Sequence, residues 1–485
     1  MLSFFRVNAP YQLLSFIIVL VLLQVPLFLN IPDMLIPELQ WMLVGEKMGQ
    51  GFMLYRDVWD NISPLSAAAF WGLDELFGRS PLAHRTMANL LILLQAIYFN
   101  YISNQRQLFT ERNYVPGILY ILFINVSFDC SSLSPVLMGT TFILLAFGTL
   151  IRQMQREGVT DEVFELGFYL SLATLFYLPL GLFSLWALAS MLLYTGANFR
   201  QHILAFFGFV FPIALTILFF FFRNALDDLS QNLLTSAFRT RQYNLNDFWG
   251  VIGAMSGIFL LGGLGFVQTI GHPRFVNYQS RCQQIMMLWV VIAFISIGLM
   301  PFIAPMQFIV FIPPMAFFSV NFFMLLKRRW LAEILFLVVF LIILFFRYQT
   351  TFLSKSFSIN QSVRLGNLKI DQSALPKEIN QEKILVIGED EGEYKNNFPA
   401  TAYLNWELAK YDFENLDSYE SVISIFDNFI ADPPTYIIDK INIMPRLFER
   451  LPELKIRYQK TQWKGIYRLI NRSPTRDRTI SDATS

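Results

Sequence analysis

PELQWMLVGEKMGQGFMLYRDVWDNISPLSAAAFWGLDELFGRSPLAHR, Pro37 to Arg85, follows directly on the first apolar run of the chain. It sets Glu38, Glu46, Asp57, Asp60, Asp74 and Glu75 beside a span long enough to cross a bilayer. Carboxylates at a membrane face are costly unless they are solvated, paired or used in chemistry. The surrounding composition makes that face real. Of 485 residues, 54% are hydrophobic and 15% charged, with 50 Phe. Soluble domains carry about 25% charged residues. Mean hydropathy is +0.45. The chain therefore reads as a polytopic membrane protein.

Scanning outward for runs of roughly 20 apolar residues gives eleven spans. They lie near 12–30, 87–104, 114–128, 135–151, 163–179, 181–197, 203–222, 249–270, 284–300, 303–326 and 330–346. Tight joins are expected at Pro179, at Pro301 and between Phe128 and Pro135. The first run lacks a small-residue cleavage site and reads as a retained helix rather than a signal peptide. No repeat of fixed period is visible.

Lys and Arg in short loops set orientation. Arg6, Arg106 with Arg112, Arg152 with Arg156, Arg200 with His202, Arg274 with Arg281, and Lys327 to Arg329 fall on one side, assigned to the cytoplasm. The acid-rich loop, the 223–248 loop and the C-terminus then lie outside. Cys130 and Cys282 fall at opposite faces, which argues against a disulfide between them.

From Arg347 the composition changes: 19 Lys/Arg and 19 Asp/Glu lie in this last part, so it cannot be further membrane. KILVIGED (from Lys383), ADPPTYIIDK (from Ala431) and KGIYRLI (from Lys464) read as strands. TAYLNWELAKYD (from Thr401) and the later SYESVISIFDNF have helical spacing. Strand and helix alternate, which predicts a small α/β domain. The expected division is 1–346 for the mainly α transmembrane bundle, with its outer loop at 31–86. A soluble domain follows at 347–472, then a disordered tail at 473–485.

Within the outer loop, PELQWMLVGEKMG predicts an amphipathic helix. Leu39, Met42, Leu43 and Met48 would face lipid, and Glu38, Glu46 and Lys47 water. Gly49 and Gly51 end it, and Trp59 and Tyr55 are aromatics of the interfacial kind. An acid after the first span is followed by Gly51, by Tyr55-Arg56-Asp57, by Pro64-Leu65, and by Phe77, Gly78, Ser80 and Arg85. This order resembles the first outer loop of the GT-C superfamily of membrane glycosyltransferases, which includes protein O-mannosyltransferases and lipid A aminoarabinose transferases. The motif covers about 50 residues, whereas the layout of spans and outer domain is similar over nearly the whole chain. The sequence departs from the family at Pro37, where an Asp is usual, and at Leu39, where a Gly is usual.

The resemblance implies glycosyl transfer from a polyprenyl-phosphate sugar to a lipid, glycan or protein acceptor at the outer face of a bacterial inner membrane. It implies a carboxylate base, for which Glu38 is the first candidate and Asp33, Asp57 and Asp60 the helpers. The base must reach the acceptor proton. A lipid phosphate leaving group needs cations. Arg56 with Tyr55, and Arg239 with Arg241 in the loop that also holds Phe238 and Tyr243, are the candidates. No cofactor is firmly implied, and a divalent metal is left open. His84, His202 and His272 lack metal-ligand spacing. GEDEGE, Gly388 to Glu393, lacks the ligand spacing of a calcium loop. A net charge of +1 gives no argument for nucleic acid. Two other classes remain open. One is an inactive scaffold of the same fold, which would keep the architecture while Pro37 replaces the Asp. The other is a transporter, which the missing inverted repeat disfavours.

Overall fold

Proline and glycine set where the helices stop and how closely they pack. The computed structural model describes residues 1–29, 34–155, 160–236, 248–270, 276–352, 370, 375–376, 378–389 and 392–470. Among them, nine helices are long and apolar enough to cross a membrane, with mean hydropathies from 1.2 to 2.6. Two shorter helices, Val115–Ile124 and Thr160–Phe176, occupy the two remaining positions expected for spans. Val115–Ile124 has 10 residues, all buried. It is about 15 Å long, too short for a bilayer by itself, and its polar backbone is shielded by protein rather than lipid. The second span begins at Pro81 rather than 87, because Ser80 caps it by accepting the Ala83 N–H at 3.4 Å and Pro81 opens the first turn.

The contacts divide the chain into two compact units, Met1–Gly49 with Asn61–Lys369, and Gln50–Asp60 with Ile370–Ser485. In the first unit, glycines let helices touch backbone to backbone. A Cβ on Gly167 would meet the Ala205 carbonyl, and one on Gly208 the Phe164 carbonyl, so Thr160–Phe176 lies flat on Phe199–Phe222. Gly265 does the same against Phe318, between Phe248–Ile270 and Ile312–Leu325. Small residues are how membrane helices gain close packing in the absence of a hydrophobic drive between them. Several buried polar groups are paired across spans. Gln95 donates to the Leu137 carbonyl at 2.8 Å and accepts from the Tyr120 hydroxyl at 2.7 Å. Tyr177 donates to Gln307 at 2.6 Å.

The bundle has two distinguishable ends. At one, the Tyr114 N–H donates to the Phe5 carbonyl and Arg6 donates to the Phe323 carbonyl. At the other, Gln24 meets Asn125 and Ser131, and the Leu178 N–H donates to Ser63. Cys130 and Cys282 are both buried and free.

The helix Ile36–Gly49 corrects the sequence expectation. It is not an amphipathic helix lying on lipid: Glu38, Leu39, Met42, Leu43 and Lys47 are all buried. Gly45 explains this, since a Cβ there would stand 2.7 Å from the Phe70 carbonyl. The helix Pro64–Phe77 therefore presses directly on its backbone. Trp41 adds ring contacts with Phe70 at 5.8 Å and Phe302 at 6.4 Å.

In the second unit, five strands order as β2-β1-β3-β5-β4. They are β1 Lys383–Ile387, β2 Phe398–Pro399, β3 Tyr436–Asp439, β4 Tyr458–Lys460 and β5 Ile466–Leu469. β1 runs parallel to β2 and β3, while β5 is antiparallel to both β3 and β4. The expected strands are β1, β3 and β5. The edge strands β2 and β4 are too short, at two and three residues, to leave an alternation in sequence. Helices Trp406–Glu414 and Tyr419–Ala431 cover the sheet with Phe413, Ile425 and Phe429 in the core. The 473–485 stretch lies outside the described residues.

Candidate active site

Glu38 stands in the first turn of Ile36–Gly49, where Pro37 is well tolerated because early helical N–H groups have no helical partner. One carboxylate oxygen accepts the Leu35 N–H at 3.0 Å, and the residue is 6% exposed. His84, Arg85 and Asp129 are within electrostatic reach of it. His84 is held as a structural group: its ring stacks on Phe70, and Nδ1 lies 2.8 Å from the Ser80 carbonyl.

Asp129 is a candidate that the sequence analysis passed over. It opens the short turn Asp129–Ser131 between the third and fourth spans and is fully buried. It accepts from the Ser127 hydroxyl and, at 2.8 Å, from the Met306 N–H. Burial nevertheless dominates, pushing its carboxyl from 3.8 up to about 6. The signal available was a lone acid between two apolar runs, in FDCSSLSP.

Arg347, near the end of the last span, fixes this turn. It donates to the Asn125 carbonyl at 2.7 Å and to Asn125 Oδ1 at 2.8 Å. It also donates to the Ser127 carbonyl at 3.1 Å and Ser131 Oγ at 2.7 Å. Gln24 of the first span donates to the same Asn125 Oδ1 at 2.7 Å and Ser131 Oγ at 3.1 Å. Arg347 is 4% exposed, and its Nη1 has no hydrogen-bond partner among the described residues. Asp129 and Arg85 are within its electrostatic reach. The first unit thus gathers two carboxylates, Glu38 and Asp129, and two guanidinium groups, Arg85 and Arg347, at one end of the bundle.

A second acidic group lies in the same unit. Arg79 bridges to Glu46 at 2.6 Å. Burial raises Glu46 despite Arg79, and burial likewise raises Asp74. Among the described residues, no group of three or more His, Cys, Asp or Glu could hold a metal ion.

The Tyr-Arg-Asp segment belongs to the second unit and forms a tight turn there. Tyr55 is fully buried at φ 70°, a left-handed conformation unusual for a large side chain, and donates its N–H to the Val58 carbonyl at 2.9 Å. Burial, then the neighbouring Asp60, raise its hydroxyl well above the usual tyrosine range. Arg56 is bidentate on Asp57, at 3.0 and 2.9 Å, and Asp57 also accepts the Met53 N–H at 3.0 Å. Asp60 is 2% exposed. The Trp59 N–H donates to the Ala402 carbonyl at 2.8 Å, and its ring meets Tyr403 edge-on at 5.0 Å. Asp33, Arg239 and Arg241 lie outside the described residues.

No family model and no curated protein matches the sequence. Solved structures do. The archaeal oligosaccharyltransferase AglB from Archaeoglobus fulgidus, in complex with an inhibitory peptide and a dolichol-phosphate, aligns over 92% of this chain and 72% of its own. Its TM-score is 0.50 and its identity 11%. The chain has the GT-C fold. ArnT from Cupriavidus metallidurans bound to undecaprenyl phosphate aligns over 73% of this chain and 68% of its own, with a TM-score of 0.47 and 13% identity. At such identities the GT-C likeness is one of fold. Substrate and chemistry have to be argued from Glu38, Asp129, Arg85 and Arg347.

Proposed function

We propose that the protein transfers a glycosyl group from a polyprenyl-phosphate donor to an acceptor at the outer face of a bacterial inner membrane. The observation that carries this reading is the pairing of buried Glu38 with buried Asp129 at one end of the bundle, with Arg85 and Arg347 in electrostatic reach. Relatives in fold were solved with undecaprenyl phosphate and with a dolichol-phosphate, which supports a lipid phosphate here. In the proposed step, the acceptor hydroxyl or amide gives its proton to a carboxylate. Its heavy atom bonds the anomeric carbon, the bond from that carbon to the phosphate oxygen breaks, and the electron pair leaves on the phosphate. Glu38 is the proposed base and Asp129 the second acid. A carboxyl held near 6 by burial is better matched to proton transfer at neutral pH than an ordinary one.

Charge that grows on the leaving phosphate is offset by Arg85 and by Nη1 of Arg347, which has no hydrogen-bond partner among the described residues. Tyr55, Arg56, Arg239 and Arg241, together with Asp33, Asp57 and Asp60, are nominated by the sequence for the same reaction, and their substitution belongs in the same assay. A lipid, a glycan or a protein can each supply the acceptor.

A second reading, an inactive scaffold of the same fold, draws on one observation: Glu38 already accepts the Leu35 N–H, as a helix-start acid does. Glu38→Gln and Asp129→Asn separate the two. Mass spectrometry of glycans in the envelope fraction should show one glycan lost in both variants at unchanged protein level. Unchanged glycans would leave the scaffold.

A further inference from the structure

The end of the bundle remote from Glu38 holds a cavity of mixed polar and apolar lining that the proposed transfer does not use. It measures about 250 Å³ and lies where the first span begins, the second ends and the third begins. From there to Arg85 along the second span is about 24 Å, since Tyr101 follows Arg85 by sixteen residues at about 1.5 Å each.

Its buried wall consists of Asn100 and Tyr114, 3% and 9% exposed. Asn100 accepts the Gly117 N–H at 3.2 Å, and its amide NH₂ has no partner among the described residues. The Tyr114 ring meets Phe16 at 5.9 Å, while its hydroxyl also has no such partner. Neighbouring Asn104, in contrast, is used on both sides, donating to the Asn113 carbonyl and accepting the Asn113 N–H. Arg112 stands exposed at the mouth. It is not ion-paired among the described residues, even with Glu111 beside it. Gln105 and Asn8 complete the polar rim.

An amide NH₂, a phenol and a guanidinium, all donors, converge on one space. Donors without a protein acceptor are open to a ligand, and a phosphate offers several charged acceptor oxygens. The opposite wall is apolar, with Leu13 and Ile97. From it, Leu13 and exposed Ile17 continue along the first span and exposed Leu90 and Leu94 along the second. Each pair is four residues apart, so each forms a stripe on one helix face. A ligand seated here therefore meets donors at its head and hydrocarbon-facing stripes at its tail.

We propose that this cavity binds the phosphate of an anionic membrane phospholipid, with an acyl chain along the two stripes. Native mass spectrometry of the whole purified protein tests it, by titration with phosphatidylglycerol, phosphatidylcholine and inorganic phosphate. Phosphatidylglycerol should bind in preference to phosphatidylcholine. Arg112→Glu, and independently Gln105→Glu, should weaken it on the order of tenfold. Arg328→Glu, an exposed arginine outside the cavity, should leave it unchanged. Equal weakening by Arg112→Glu and Arg328→Glu, no effect of either cavity variant, or equal binding of both lipids overturns the proposal. Displacement of the lipid by inorganic phosphate at equal concentration assigns the site to free phosphate and overturns the lipid form.

Discussion

At the scale of single residues, the acid that sequence reasoning singled out and the acid it missed differ in how they announce themselves. Glu38 sits in a stretch dense with charge and resembles a family motif. Asp129 is one acid between two apolar runs, and only folding shows that the turn after the third span meets the Met306 N–H. Arg347 was legible merely as the place where composition changes. Its role depends on a contact with Asn125, 222 positions away in sequence. Glu38→Gln should lower glycosyl transfer by at least about 100-fold if the carboxylate is the base, read as initial rate with protein level matched. Asp129 gives a pH signature. Its folded value near 6 exceeds 3.8, so the folded state holds the proton more tightly. Its contribution to stability is therefore full below about 4 and is lost as pH rises through about 6. Asp129→Asn should flatten that segment of a thermal-unfolding profile taken against pH.

At the scale of elements, packing overrode pattern once, in Ile36–Gly49. Alternating faces were visible in PELQWMLVGEKMG, but the closeness of Pro64–Phe77 was not. The reason is Gly45, whose missing side chain looks in sequence like a helix weakness and serves in the fold as a contact point. Gly45→Ala should therefore cost about 1–3 kcal/mol of stability, measured as a lowered Tm in detergent, although alanine is the better helix former. Arg347→Ala should cost about 2 kcal/mol or more, because the Asn125 and Ser131 groups it satisfies lose a charged donor. Gln24 still reaches both of these and limits the loss. The strands of the second unit were legible where a run of four or five residues alternates with helix, and illegible for β2 and β4, which take their conformation from neighbours in the sheet.

At the scale of the whole molecule, composition and hydropathy made the membrane class and the approximate number of spans legible. The GT-C fold was legible from one loop and the order of spans. Which end faces the cytoplasm is an expectation from Lys and Arg that labelling can decide. Buried Cys130 and Cys282 provide a quiet background. Glu111→Cys should react with a membrane-impermeant maleimide only after cells are permeabilised, and Ser230→Cys in intact cells. The reverse pattern would invert the topology and move Glu38 and Asp129 to the cytoplasmic face.

The bonds from Gln24 and Arg347 to one short turn have a consequence in time. Ribosomes deliver the first span early and the last span only after some three hundred further residues. The turn bearing Asp129 is synthesised between them and waits for its second anchor. A chain released or cleaved before Arg347 would have the Glu38 helix and the Asp129 turn but not the guanidinium that ties that turn to the last span. Synthesis of the last span, not of the first, would complete the anchoring of the Asp129 turn.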